Sequence, residues 1–121
     1  MAFDFEKLVA YRKALEFVDA VYAATRAFPA SETYGLVSQL RRAAVSVTAN
    51  LAEGAGRDSI PDRRRFFTMA RGSVFECVPL VEVARRQGML PAESAGGLTE
   101  ACEELSKIIH GLVRELDGRG R

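Results

Sequence analysis

The residues that most often carry enzyme chemistry are scarce in this chain. It has one histidine, His110, and two cysteines, Cys77 and Cys102, among 121 residues. All three lie in apolar helical patterns and the cysteines do not form a C-x-x-C pair, so packing is the simpler interpretation of each. H-E-x-x-H motifs, Glu-x-x-His pairs and glycine-rich phosphate loops are also missing. We therefore predict no catalytic residue, cofactor or metal, and an enzyme would need a site assembled between subunits.

Long apolar stretches are missing as well. No run approaches the ~18 residues that a membrane-spanning helix needs. Residues 1–6 show neither the basic nor the hydrophobic region of a secretory signal. We expect a cytoplasmic protein without a membrane partner. With 48% hydrophobic residues the chain can bury a continuous core, so residues 1–121 are predicted to form a single domain.

Charge is nearly balanced overall but unevenly distributed. The net charge is +1, yet residues 33–71 carry seven arginines against three acids, and residues 72–118 carry four basic residues against eight acids. Fourteen of the seventeen basic residues are arginine. The planar guanidinium group suits phosphates, carboxylates and interface ion pairs, so this composition weakly favours a partner.

Four stretches have the periodicity of amphipathic helices, and none alternates as a β-strand would. The predicted helices span about residues 5–27, 32–54, 60–87 and 94–117. Because the connections are short, successive helices should be antiparallel neighbours. The predicted fold is therefore all-α, an antiparallel up-down-up-down four-helix bundle.

Local signals predict how the helices begin, end and pack. Residues 30–32 should cap helix two, and residues 54–56 should end it, since glycine can take positive φ at low cost. Ser59 should cap helix three, and Pro79 should kink it. The predicted core stripe of helix one is Leu8, Tyr11, Leu15, Val18 and Tyr22. The predicted core stripe of helix four is Leu98, Cys102, Leu105, Ile109, Leu112 and Leu116.

Helix two has more distinct sides than a surface helix needs. At ~100° per residue its core face is bordered by a small-residue flank of Val45, Ala49 and Ala52 and by a polar seam. The polar seam consists of Gln39, Arg42, Ser46, Asn50, Glu53 and Arg57. One interpretation is a solvated side on which Glu53 and Arg57 form an ordinary ion pair. The other is a side that meets another subunit or lines a central passage.

Helix three has a comparable second side. Phe75 lies away from the predicted core and close to Arg71 in the sequence. An isolated exposed phenylalanine is common on protein surfaces. An aromatic residue beside an arginine on a rigid helix also fits an interface anchor, which makes Phe75 a candidate interface residue.

Three adjacent arginines occupy the first turns of helix three. Cations are mildly unfavourable there because the helix dipole places partial positive charge at the N-terminus. The run is either solvated or part of a phosphate-binding surface. The second interpretation makes the following residues candidate nucleic-acid contacts: Arg42, Arg57, Arg63, Arg64 and Arg71.

One long motif spans helices two and three. It comprises residues 34–36, 39–47, 50–54, 56–57, 65–67, 70–73 and 76. This string resembles the signature of the four-helix bundle family first described from intervening sequences in large-subunit ribosomal RNA genes. The resemblance extends from Phe5 through helix four, with mild departures at Pro79 and at Thr48-Ala49.

The resemblance implies a ring-like homopentamer. It also implies kinship with the accessory bundle proteins of diversity-generating retroelements, which bind nucleic acid through a basic surface. The family motif falls on Gln39, Arg41, Arg42, Asn50, Glu53, Arg57, Arg71, Ser73 and Glu76. It thereby adds Glu76 to the candidate interface and Arg41 to the candidate nucleic-acid contacts.

These observations lead to two hypotheses about function. The first is a non-enzymatic homo-oligomer, a pentamer by resemblance, with no small-molecule substrate. Its candidate interface or polar seam is Gln39, Arg42, Asn50, Glu53, Arg57, Phe75 and Glu76. The alternative is an RNA- or DNA-binding accessory protein whose arginines are repeated around the ring.

Overall fold

Four helices make up most of the computed structural model, which describes residues 8–119. They are α1 (Val9–Thr25), α2 (Leu36–Gly56), α3 (Ile60–Arg86) and α4 (Ala92–Arg119), with a 3₁₀ turn at Ala30–Glu32. Each helix packs against the next, and α1 also packs against α4, which closes the bundle. No strand occurs within the described range. The predicted all-α four-helix bundle is confirmed.

Side-chain contacts show that neighbouring helices run in opposite directions. Ser46, near the middle of α2, meets Ser73 of α3. Further along α2, Gly54 lies against Phe67, which comes earlier in α3. The contacts between α3 and α4 are reversed in the same way. This is the predicted up-down-up-down order.

The core face of α1 is not the predicted one. Leu15 is 43% exposed, and the other predicted core residues of this helix are half-buried at its margin. Small residues at the contact let α1 approach its neighbours closely, which moves the larger side chains outward. The prediction for residues 5–7 lies outside the described range. The buried residues of α1 are Ala10, Ala14, Phe17, Val21 and Thr25.

Helix α2 begins later than predicted. Its first residue is Leu36, because Ala30–Glu32 forms a separate 3₁₀ turn. The Glu32 carboxylate accepts a hydrogen bond from the Leu36 backbone N–H at 3.2 Å and so caps the helix. A Cβ at Gly35 would lie 3.1 Å from Oε1 of Glu32, so glycine leaves room for this cap.

Helix α2 ends at Gly56, two residues later than predicted, and its glycines do not use the positive φ that is open to them. Gly54 and Gly56 both lie inside the helix, and the one glycine at positive φ in the described residues is Gly88, at 74°. Gly88 ends α3, where the Met89 N–H bonds to the Ala84 carbonyl at 2.9 Å, a Schellman motif. Gly54 serves packing instead.

The predicted cap of helix three is confirmed. Ser59 precedes α3, and its hydroxyl accepts a hydrogen bond from the Asp62 N–H at 3.2 Å. Pro79 lies inside α3 (Ile60–Arg86), and the kink expected there stays a prediction. In α4, Val113 is buried and Leu112 is half-buried, because a 3.6-residue turn drifts away from a strict seven-residue repeat.

Candidate functional site on helices two and three

The polar seam divides into an inner and an outer part. Ser46 and Asn50 are half-buried beside α3. The exposed members of the seam are Gln39, Arg42, Glu53 and Arg57. Glu53 Oε2 lies 2.9 Å from Nη2 of Arg57, the ordinary surface pair of one interpretation. The inner part of the seam therefore lies against α3, and the outer part faces outward.

The inner part is a chain of hydrogen bonds between α2 and α3. Asn50 Nδ2 donates to the carbonyl and to Oγ of Ser46, at 3.0 and 3.1 Å. Ser46 Oγ lies 2.8 Å from Ser73 Oγ, and Ser73 Oγ donates to the Met69 carbonyl at 3.2 Å. Since each hydroxyl has one hydrogen, Ser46 is the donor to Ser73. These bonds fix the register of the two helices.

The outer side of α3 carries large apolar side chains in one line. Met69, Glu76 and Val83 are spaced by seven residues, so they lie above one another along the helix. Met69 and Val83 are each 46% exposed. On α2, Val45 is 41% exposed and Ala49 is exposed as well. We call the following set the α2/α3 surface: Arg42, Val45, Ala49, Met69, Glu76 and Val83.

Two charged residues of the α2/α3 surface have no partner among the described residues. The side chains of Arg42 and Glu76 are exposed and make no hydrogen bond or ion pair with any residue in 8–119. Gln39 is in the same situation. All three belong to the predicted interface, and they are its exposed members without a side-chain partner in residues 8–119.

Phe75 lies on a different side of α3, toward α4. It is 51% exposed, and the Arg71 guanidinium lies 4.9 Å from its ring centroid. Arg71 Nε also donates to Ser106 Oγ of α4 at 3.3 Å. Phe75 borders a cavity of about 200 Å³ between the two helices, together with Lys107 and Cys102. The predicted anchor is therefore exposed but separate from the α2/α3 surface.

Arg41 connects α2 to α1. Its Nε donates to Thr25 Oγ1 at 2.8 Å, and its guanidinium lies 4.3 Å from the centroid of the Tyr22 ring. Thr25 is buried, and its hydroxyl donates in turn to the Val21 carbonyl at 2.8 Å. Arg41 thus satisfies a buried hydroxyl and covers an aromatic ring, which is a packing role.

The remaining arginines gather where α2 ends and α3 begins. The guanidinium groups of Arg57 and Arg65 lie 4.7 and 4.5 Å from the centroid of Phe66. Arg63 Nε donates to the Arg57 carbonyl at 2.6 Å and so satisfies a carbonyl left open at the helix end. We call Arg57, Arg63, Arg64 and Arg65 the arginine cluster.

Acidic residues neutralise much of the arginine cluster. Asp117 lies 2.6 Å from Nε of Arg64, and its hydrogen bond and charge raise the pKa of that guanidinium. Asp62 lies 3.9 Å from Nε of Arg65. Of the six candidate nucleic-acid contacts, Arg42 is the one without a partner in residues 8–119. The five engaged within the chain are Arg41, Arg57, Arg63, Arg64 and Arg71.

Several of these partners have no local signal in the sequence. Thr25, Ser106 and Asp117 are separated from their arginine partners by 16, 35 and 53 residues. Helical periodicity identifies faces of single helices, whereas these contacts depend on how the helices pack. The sequence therefore indicated the arginines but not the groups that hold them.

The two cysteines are buried and free, as predicted. Burial raises the pKa of the Cys77 thiol to about 12 and that of Cys102 to about 11. Both thiols are therefore protonated at neutral pH and are poor nucleophiles. Within residues 8–119, no three His, Cys, Asp or Glu side chains are grouped so that they could hold a metal ion. None of the helices described is both long and apolar enough to cross a bilayer.

Comparison with known proteins identifies relatives of this fold and sequence. A search of curated proteins finds no match. A crystal structure of a protein of unknown function from the S23 ribosomal protein family of Bacteroides thetaiotaomicron matches with a TM-score of 0.80 and 20% identity, over 88% of this chain and 96% of the other. At that identity the likeness shows a shared fold. The family described as 23S rRNA-intervening sequence protein matches residues 6–111. The chain belongs to this family, as its helix-two and helix-three motif predicted.

Proposed function

We propose that this protein is a non-enzymatic homo-oligomer of the cytoplasm, a ring of five copies joined through the outer sides of α2 and α3. The observation that carries the proposal is the line of exposed apolar side chains on α3, Met69 and Val83, beside the small side chains of α2. Exposed apolar groups that share one face of a rigid element are typical of interfaces. The ring of five follows from the family resemblance.

Burial of this line would favour association. Covering a methionine or valine side chain fully contributes roughly 1.5–3 kcal/mol, and Met69 and Val83 are about half covered already. Each would therefore add roughly 1 kcal/mol per interface. A ring has as many interfaces as subunits, so modest contacts are summed around it.

Light scattering on the eluting protein tests the proposal. One copy has a mass of 13.2 kDa, and five copies of 13.2 kDa give about 66 kDa. We expect Met69→Glu to lower the measured mass. The matched control is Leu15→Glu, since Leu15 is 43% exposed on α1. A wild-type mass of 13.2 kDa at micromolar concentration would contradict the proposal.

Phe75 tests whether the interface extends beyond the α2/α3 surface to the side of α3 that faces α4. If its exposed ring inserts against a neighbour, Phe75→Ala should weaken assembly by roughly tenfold or more, as aromatic anchors do at interfaces. The readout is the concentration at which the scattering mass falls to half. Thr68→Ala, on the same side of α3, is the control. Equal assembly of the wild type, Phe75→Ala and Thr68→Ala would show that Phe75 is not part of the interface.

Nucleic-acid binding is a second candidate function, supported by the arginine cluster. Four guanidinium groups share one end of the bundle, and a ring would present them repeatedly. Filter binding of structured RNA should then weaken steeply as salt rises, because each phosphate contact releases counterions. Arg63→Gln with Arg64→Gln should reduce the salt slope, and Arg12→Gln on α1 is the control. Retention without salt dependence would contradict this candidate.

A further inference from the structure

We propose that Arg42 of one copy forms an ion pair with Glu76 of the next copy. On the same side of α2, two turns further along, Ala49 would contact the neighbour's Met69. This inference rests on the proposed homo-oligomer. It assigns a direction to the ring, because the α2 side of each copy would meet the α3 side of the next. The contact would be heterologous, as closed rings require.

The charges of α3 are the first support. Three acidic residues lie on this helix, and two of them have arginine partners within it. Asp62 is 3.9 Å from Nε of Arg65, and Glu82 is 2.6 Å from Nη2 of Arg85. Glu76 alone of these acids has no such partner in the described range, although it is exposed.

The sizes of the side chains are the second support. Ala49 is a small side chain on the outer side of α2, and Met69 is a large one on the outer side of α3. Large side chains of one helix fill space above small side chains of another when helices interdigitate. Two copies of α3 facing each other would instead oppose large side chains to large ones.

The register of α2 and α3 is the third support. The hydroxyls of Ser46 and Ser73 touch, so these residues lie at the same level of the bundle. The helices are antiparallel and rise about 1.5 Å per residue, which places Arg42 and Glu76 within about 1.5 Å of one level. Rotation about an axis along the bundle keeps every level. Arg42 of one copy therefore lies at the level of Glu76 of the next.

The positions of α2 and α3 in the bundle are the fourth support. They occupy adjacent corners, whose outward directions differ by about 90°. Closing a ring of five requires two contact directions about 108° apart, whereas opposite corners would extend copies into a filament. Adjacent corners thus suit a closed ring of few subunits.

Charge reversal tests the pairing. We expect Arg42→Glu and Glu76→Arg each to weaken association roughly tenfold or more, because each places like charges together at every contact. The double variant with both reversals should regain the wild-type mass. Arg12→Glu on α1 and Glu100→Arg on α4 are the matched controls, and circular dichroism verifies that every variant remains helical.

Mixing the two single variants separates a contact between copies from one within a copy. In a mixture, the glutamate introduced by Arg42→Glu and the arginine introduced by Glu76→Arg are on different chains, so they can meet only between copies. Native mass spectrometry should therefore detect assemblies containing both variants. In a ring of five the two variants cannot alternate throughout, so the mixture should remain less stable than the double variant.

The outcomes distinguish this inference from the proposal that underlies it. A monomeric wild type would overturn both. An oligomeric wild type whose mass is unchanged by either reversal would overturn the pairing alone. A double variant that recovers while the mixture yields no mixed assembly would show a pair within one copy, which also overturns it.

Discussion

Helices α2 and α3 lie close together at one residue, Gly54. A Cβ at this position would lie 2.7 Å from the Phe67 ring and 3.2 Å from the Arg63 carbonyl oxygen. We expect Gly54→Ala to lower the free energy of unfolding by about 1–3 kcal/mol, because the buried ring must move. Urea denaturation measures the change.

Gly111 provides the control for this substitution. It is helical and exposed, and a Cβ there would meet nothing within 4 Å. Gly111→Ala should raise the free energy of unfolding by about 0.5–1 kcal/mol, since alanine favours the helix. Equal destabilisation by both changes would show that the ring of Phe67 is not the cause.

The buried thiols predict an alkaline loss of stability. Cys77 and Cys102 keep their protons up to a pKa of about 12 and about 11 in the folded protein, whereas the ordinary value is 9.0. Above pH 9.0 the unfolded chain therefore releases protons first, and the free energy of unfolding falls as pH rises toward 11. Urea denaturation at several pH values should show a shallower decline in the Cys77→Ala, Cys102→Ala variant. An identical decline would assign the effect to other groups.

At the scale of helices, the start of α3 depends on a single hydroxyl. Ser59 Oγ accepts the Asp62 N–H, one of the amides that the helix leaves unpaired. We expect Ser59→Ala to lower the free energy of unfolding by about 1 kcal/mol, measured by thermal denaturation. Ser31→Ala is the control, because Ser31 is exposed in the 3₁₀ turn and its side chain caps nothing there. Loss of stability in Ser31→Ala but not in Ser59→Ala would contradict the assignment of Ser59 as the cap.

The same helices show what could be predicted from the sequence. Ser59 and Gly88 are local signals, so the bounds of α3 were predicted closely. The core face of α1 does not follow from the spacing of its large apolar residues, because Leu15 is 43% exposed whereas the small Ala14 is buried. Periodicity identifies the core face of a helix only when its large apolar side chains are also the buried ones.

At the scale of the whole molecule, α1 is the least securely held helix. It has 17 residues, against 21, 27 and 28 in the other three. A groove of about 580 Å³ separates it from α4, and Ala20 and Gly97 line this groove. A second groove between the same helices, of about 280 Å³, is lined by Lys13 and Glu104. These two side chains pair at 2.9 Å, an exposed pair that contributes little.

Hydrogen exchange should therefore begin in α1. We expect its amides to exchange faster than those in the middle of α3, because local opening follows the weakest packing. Exchange measured by mass spectrometry in the Met69→Glu variant removes the contribution of assembly. Faster exchange in α3 than in α1 would contradict this order.

The candidate site was only partly predictable at this scale. The sequence identified the members of the polar seam, because they share one side of a helix. It did not separate Asn50, which bonds to Ser46, from Arg42, which has no side-chain bond to the described residues. The Ser46 hydroxyl that Asn50 bonds to is held in turn by Ser73, which reaches the seam from another helix.

The contact between Arg64 and Asp117 has a practical consequence. It shows that the end of α4 lies beside the arginine cluster. An anionic or bulky group attached to α4 close to Asp117 would therefore lie next to these guanidinium groups and occlude them. Protein that is attached through the opposite end of the bundle, near Tyr34, keeps the arginine cluster accessible.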